Sequence, residues 1–209
     1  MNSADESHLE PYRQAVRHLG PDAPGFKAAL WGSREAQLLR FDVMIDLGDF
    51  EKCTLLDIGC GTGDFAEHLL NRNVPFTRYI GVDALPELIN TAESRGFARC
   101  EFHLQNVLAA LDSLEKYQAD FVTISGSLNT MDQDEARRLV GAAFHAANQG
   151  VIFNFLSDRA HEQWLQRDTG PARRFDTVAW LDWSFGLTPR VTFTQDYLNG
   201  HDATIMLRH

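Results

Sequence analysis

Cysteine is scarce in this chain: Cys53, Cys60 and Cys100 are the three in 209 residues. They form no C-x-x-C pair and no Cys/His metal-ligand spacing, which argues against a disulfide framework and leaves reduced thiols, as in a cytoplasmic protein. The eight histidines make no H-x-H or H-E-x-x-H pattern, so no catalytic metal is expected. Basic residues are also short, 19 Lys and Arg against 29 Asp and Glu, for a net charge of −10. A general nucleic-acid binder shows a basic face, so nucleic acid is an unfavoured partner. No apolar run approaches the roughly 20 residues that span a bilayer, and the polar, acidic start Met1-Asn2-Ser3-Ala4-Asp5-Glu6 is unlike a signal peptide. The chain has no internal repeat and no low-complexity tract. With 44% hydrophobic residues, it has the material for one sizeable packed domain.

The most informative stretch is Leu55-Leu56-Asp57-Ile58-Gly59-Cys60-Gly61-Thr62-Gly63-Asp64-Phe65. It reads as a buried strand, a glycine-rich turn and the first turn of a helix. Alternate glycines let a ligand lie against bare backbone. A dinucleotide-binding G-x-G-x-x-G turn starting at Gly59 needs its third glycine at position 64, which is Asp64. With Asp57 before it, the turn is acidic. That sign repels a diphosphate and favours a ligand carrying a sulfonium and an ammonium. A plain tight turn without a ligand is the alternative.

Around this turn the pattern alternates strand and helix, the signal for a parallel sheet with crossover helices. Strands are expected over 54–58, 79–83, 99–104, 119–124 and 150–156, and helices over 63–71, 86–95 and 132–147. Upstream, a helix is expected over 7–19, then a break at Gly20-Pro21-Asp22-Ala23-Pro24-Gly25. A second helix, capped by Ser33, runs to Leu47 with Leu38, Phe41 and Ile45 facing the core. The leader reads either as an ordinary packing element or as a mobile lid. After the fifth strand, helices are expected over 158–166 and, capped by Thr177, over 178–185. Two last strands, 190–197 and 203–207, make an antiparallel hairpin around Asn199-Gly200, a strong turn signal.

Asp83 ends the second strand, twenty positions after Gly63. An acid there accepts hydrogen bonds from ribose hydroxyls, each worth roughly 1.5–3 kcal/mol; Ala84 follows it. After the third strand, Asn106 is placed to meet an adenine amino group, with Val107 against the ring. Ser125 and Gly126, ending the fourth strand, offer backbone to the rest of the ligand, as do Gly59, Cys60 and Gly61. Arg40, with Trp31 nearby, reads either as a solvated arginine with a buried stem or as a guanidinium meeting a ligand carboxylate.

The D-x-G-x-G-x-G turn (Asp57, Gly59, Gly61, Gly63), the acid Asp83 and the terminal hairpin, in that order, resemble the class I S-adenosylmethionine-dependent methyltransferases. The likeness covers Cys53 to His209. The segment from Trp31 to Phe41, with Phe153-Asn154-Phe155-Leu156-Ser157, Pro189-Arg190-Val191 and Asp196-Tyr197-Leu198, is similar to a group of small, poorly characterised bacterial methyltransferases. The resemblance implies a Rossmann-like three-layer α/β/α sandwich, whose seven-stranded, mostly parallel sheet ends in an antiparallel strand. Residues 1–50 are then a helical extension or lid, and 51–209 the cofactor-binding domain. S-adenosylmethionine is the implied cofactor and S-adenosylhomocysteine its product.

The (N/D/S)-P-P-(Y/F/W) motif of many amino-group methyltransferases is replaced by Ser125-Gly126-Ser127-Leu128. This disfavours nucleic-acid bases and glutamine and leaves a small-molecule acceptor. His161, Tyr12, His18, Asn129 and Asp158 are acceptor-side candidates, and none is assigned as a base. Trp164 and the Trp180–Trp183 stretch fit pocket, core or interface. The rival functions are aminopropyl transfer on the same fold and a non-catalytic cofactor-binding regulator. The assembly is read as a monomer or homodimer.

Overall fold

β1 (Thr54–Ile58) sits near the middle of a seven-stranded sheet and sends Leu55 to one face and Leu56 to the other. A computed structural model of the chain describes residues 6–19 and 25–209. The start at Met1 to Asp5 and most of the expected break, Gly20 to Pro24, lie outside the described residues. The remaining strands are β2 (Arg78–Asp83), β3 (Cys100–Leu104), β4 (Phe121–Ile124), β5 (Gly150–Leu156), β6 (Val191–Thr194) and β7 (Asp202–Arg208), in the order β3-β2-β1-β4-β5-β7-β6. β1 pairs in parallel with β2, Ile58 opposite Val82, and with β4, Ile58 opposite Ile124. β7 runs antiparallel to both β5 and β6. The strand order reverses between β1 and β4, so a crevice opens beyond their carboxyl ends.

The helices are α1 (Glu10–Leu19), α2 (Gly25–Ala28), α3 (Arg34–Leu47), α4 (Asp64–Asn71), α5 (Pro86–Ser94), α6 (Gln133–Ala146), α7 (Glu162–Leu165) and α8 (Thr177–Leu187). On one face, α3, α4 and α5 pack Met44, Phe65 and Ile89 with Leu55 and Phe121. On the other, α6 and α8 pack Val140, Phe144 and Trp180 around Leu56, Val122 and Phe153. A sheet covered on both faces gives continuous apolar strands, and β4 and β5 are buried throughout. The three-layer sandwich with its antiparallel last strand is the architecture expected. No helix among the described residues is long and apolar enough to cross a membrane.

Several local expectations change. Ser33 caps α3 by accepting from the Ala36 N–H at 3.1 Å, as read, and Phe41 joins the core. The helix over 158–166 shrinks to the single turn α7. Its first residue is held elsewhere: the Asp158 N–H donates to Phe175 O at 3.1 Å, and Asp158 Oδ1 accepts from the Thr177 N–H. The cap of α8 is Asp176, which accepts from the Ala179 N–H at 3.0 Å. Thr177 lies inside the helix, its hydroxyl bonded to that of Ser157, and α8 continues past Gly186. Asn199-Gly200 is no two-residue turn. Leu198, Asn199 and Gly200 are all left-handed, with φ of 48°, 53° and 70°, and the loop runs from Thr194 to Asp202. Two unforeseen 3-10 segments, Val107–Ala109 and Leu111–Tyr117, link β3 to β4.

Candidate active site

The turn between β1 and α4 is tied to β2. The Gly59 and Cys60 N–H groups donate to Val82 O at 2.8 and 3.1 Å. The Gly61 N–H donates to Asp83 Oδ2 at 2.9 Å, and Asp83 Oδ1 accepts from the Leu85 N–H at 3.0 Å. The carboxylate is thus fixed by backbone, and burial pushes its pKa up against those bonds. All three turn glycines have positive φ, but they leave room for different partners. A Cβ on Gly59 falls 2.1 Å from Ser127 Oγ, and one on Gly63 falls 2.9 Å from Phe102. At Gly61 the nearest atom is Ala29 Cβ at 3.7 Å, an ordinary contact. Of the three, Gly61 alone has room for a Cβ, beside Ala29, and it lines neither cavity of the crevice; Gly59 and Gly63 make room for protein side chains.

The two acids that set the sign of the turn do not face the crevice through their carboxylates. Asp57 is buried, accepting from Tyr79 Oη at 2.5 Å and Thr123 Oγ1 at 2.9 Å. Desolvation raises its pKa to about 6, against those two bonds. Asp64 is held by Arg95 at 2.9 Å, Arg34 at 3.1 Å and the Gln37 amide at 3.2 Å. The inference to a cationic ligand thus rested on acids whose charges are occupied elsewhere, and the acid that lines the crevice is Asp83. Cys60 also turns its thiol inward, against Gly81, and burial raises its pKa.

Two neighbouring cavities occupy the crevice. The first is lined by Gly59, Asp83, Ala84, Asn106, Val107, Ser125 and Gly126 from the expected set, and by Leu9 and Tyr12 of the leader, Tyr12 being one of the acceptor-side candidates. Ile58, Val82, Leu85 and Met131 give it apolar walls, and among the described residues no lysine or arginine lines it. Asn106 Nδ2 reaches Glu6 Oε1 at 3.2 Å. Ser125 and Gly126 are positioned from behind by buried Asn154, whose Nδ2 donates to Ser125 Oγ and whose Oδ1 accepts from the Gly126 N–H, both at 2.9 Å.

The second and larger cavity meets the first at Tyr12, Ala29 and Gly126. Trp31 and Arg40 line it, with Asn129, Trp164, Arg167 and His201. Trp31 packs where a side chain on Gly126 would otherwise stand, 2.7 Å from the Cβ position. Arg40 matches neither expectation for it: its guanidinium makes a two-pronged pair with Asp202, Nε to Oδ1 at 2.7 Å and Nη2 to Oδ2 at 2.5 Å. Both residues are buried.

Of the acceptor-side candidates, Tyr12 and Asn129 line these cavities. His161 caps α7, the His18 ring bonds Gln14 O, and Asp158 holds Thr177. Burial holds the Tyr12 hydroxyl at about 12, so it is a protonated donor. Trp180 is core. His201 was missed because, from sequence, it is only a residue of the hairpin loop. Among the described residues, no His/Cys/Asp/Glu group could hold a metal.

The donor set can be tested against a cofactor. An apolar slot with one fixed carboxylate and flanking amides suits a nucleoside. The fixed charge it presents is the Asp83 carboxylate, and among the described residues no lysine or arginine lines it, which disfavours a diphosphate. The residues therefore fit S-adenosylmethionine.

Residues 55–150 match the family model described as "Methyltransferase domain". No curated protein matches the sequence. Among solved structures, an S-adenosylmethionine-dependent methyltransferase from Archaeoglobus fulgidus is similar at a TM-score of 0.65 and 18% identity, over 85% of this chain and 95% of that one. Magnesium protoporphyrin IX methyltransferase from Synechocystis PCC 6803 gives 0.65 at 12% identity over 100% of both chains. The methyltransferase domain of bacterial CtHen1 gives 0.65 at 17% identity over 83% and 99%. These likenesses speak for the fold, while the family model and the nucleoside-shaped cavity speak for the chemistry. Residues 55–150 thus match a methyltransferase domain, and the whole chain has the fold of S-adenosylmethionine-dependent methyltransferases, whose cofactor fits the first cavity.

Proposed function

We propose that this enzyme moves a methyl group from S-adenosylmethionine to a small-molecule acceptor held in the second cavity. The observation that carries this reading is the junction of the two cavities at Tyr12, Ala29 and Gly126. On one side lies the slot that fits a nucleoside. On the other lies a chamber walled by residues from α3, the end of β4, the segment around Trp164 and the hairpin loop. Asp83 accepts from the ribose hydroxyls, and Asn106 and Val107 take the base with Ala84. Gly59, Cys60, Gly61, Ser125 and Gly126 offer backbone to the amino-acid part. Asp57 supports the turn from behind. We assign Trp31 and Arg40 to the acceptor side. The described part of the extension over 1–50 then roofs the catalytic part, residues 51–209, with α3 anchored in the core and α1 as cover.

The bound cofactor supplies a methyl already activated on a sulfonium. The protein aligns the acceptor with it, an orientation term of about 7–11 kcal/mol. Tyr12, protonated at neutral pH, donates to Gly126 O at 3.4 Å and so shapes the passage between cavities.

S-adenosylhomocysteine, and not NAD, is expected to raise the melting temperature; at a hundred times its Kd the gain is about 2.7 kcal/mol. Stabilisation by NAD alone overturns the site assignment. Cofactor with a tritiated methyl, incubated with cell extract, is expected to label the low-mass fraction. Label confined to RNA or protein overturns the small-molecule reading.

A further inference from the structure

His201 and Arg174 stand behind the second cavity in an arrangement that the methyl-transfer reading does not use. The Arg174 guanidinium donates to four neutral acceptors: Trp164 O at 2.7 Å, Ser157 O at 2.8 Å, His201 Nδ1 at 3.0 Å and His201 O at 3.3 Å. It has no carboxylate within ion-pair distance among the described residues. An arginine does not give up its proton, so His201 Nδ1 is the acceptor in this bond and the ring proton sits on Nε2. The ring is stacked on Trp164, centroids 4.2 Å apart and planes at 27°, which fixes its plane. Burial and the nearby guanidiniums of Arg174, Arg40 and Arg167 lower its pKa to about 4. His201 is then a neutral imidazole with no free lone pair. It cannot serve as a base here, and its open edge can only donate.

The charges around the cavity point the same way. Arg40 and Asp202 cancel as a buried pair, and Arg167 and Asp168 bring one charge of each sign to the wall. The Arg174 charge is left over, with His201 between it and the cavity. Asn129 adds a second donor: its Oδ1 is taken by the Leu156 N–H at 2.9 Å, while its Nδ2 has only a 3.5 Å contact to Gly126 O.

We propose that the second cavity takes a carboxylate-bearing acceptor, whose anionic oxygen is held by His201 Nε2–H with Arg174 behind it. This rests on the second cavity being the acceptor site. His201 is a specificity-determining residue, and Arg174 is a positioning residue that fixes its tautomer.

The test uses the full chain saturated with S-adenosylhomocysteine, with benzoate and its neutral counterpart benzamide as probes for the tryptophan-lined chamber. Calorimetry is expected to show benzoate binding at least about tenfold more tightly than benzamide. His201→Phe keeps the stacking but removes the donor. It is expected to abolish that preference while S-adenosylhomocysteine affinity stays unchanged. Nitrogen-15 spectra are expected to show His201 neutral with its proton on Nε2 at pH 6, and Arg174→Gln to populate both tautomers.

Equal binding of the two probes, no saturable benzoate binding, or a preference that survives His201→Phe overturns the proposal. So does benzoate competing with S-adenosylhomocysteine, which places the probe in the first cavity. Failure of S-adenosylhomocysteine itself to bind counts instead against the cofactor-site reading.

Discussion

Replacing Asp57 by Asn tests whether this acid supports the turn or faces the ligand. Asp57 is 3% exposed, and desolvation outweighs its bonds from Tyr79 and Thr123 to raise its pKa to about 6 from an ordinary 3.8. The folded protein therefore holds a proton that the unfolded chain releases, and unfolding between those pH values sets a proton free. Stability contributed by this group is complete below pH 3.8 and is lost as pH rises to about 6. At about 1.4 kcal/mol per pH unit, the loss comes to about 3 kcal/mol. Asparagine does not ionise, and its amide can still bond two hydroxyls. Any packing cost of Asp57→Asn is common to all pH values, whereas the relief appears only at high pH. Urea unfolding of wild type and variant at pH 4 and pH 7.5 separates the two. The variant is expected to gain about 2.4 kcal/mol relative to wild type between these conditions, with S-adenosylhomocysteine affinity within about threefold of wild type. A stability difference that does not change with pH refutes the buried-acid account. A loss of affinity beyond tenfold shows that the carboxylate acts on the cofactor after all.

Asp83→Ala is expected to weaken S-adenosylhomocysteine binding at least about tenfold, only 1.4 kcal/mol; calorimetry showing unchanged affinity removes its ribose role. Gly59→Ala meets both a left-handed backbone, φ 75°, and Ser127 Oγ at 2.1 Å. It is expected to lower the melting temperature, and adding Ser127→Gly is expected to restore part of the loss; a fall of equal size with and without that second change refutes the clash. Asp202→Leu leaves Arg40 buried and unpaired and is expected to cost about 3–5 kcal/mol, whereas Arg40→Met with Asp202→Leu is expected to be near neutral. Denaturant unfolding checks both, and a single variant as stable as wild type refutes the pair's importance.

The cofactor half was legible because it is local in sequence. A strand, a turn of alternating glycines and an acid ending the next strand fall within thirty residues of chain, and parallel pairing places them side by side. Gly59 and Asp83 of that stretch, with Asn106 and Gly126 after the next two strands, all line the first cavity. The local logic went astray over side-chain direction. Asp57 alternates with Ile58 along β1, so its carboxylate goes to the layer below the crevice. Asp64 lies in the first turn of α4, where Arg34 and Arg95 reach it from other elements. Position in a motif does not say which face a charge occupies, and the glycine count does not say whether a ligand or a serine fills the space.

The acceptor half was illegible for a different physical reason: no local pattern assembles it. Arg40 and Asp202 are 162 positions apart, and they meet only because β7 inserts antiparallel beside β5, bringing its first residue under α3. The same insertion carries His201 to the cavity wall, where Trp164 and Arg174 reach it from the long connection after β5. In sequence, His201-Asp202 reads as the tail of a hairpin loop. Once β7 is placed, one residue locks the leader helix α3 to the last strand, and its neighbour lines the second cavity. The antiparallel strand that serves as a signature of the fold is thus also what builds the cavity proposed to hold the acceptor.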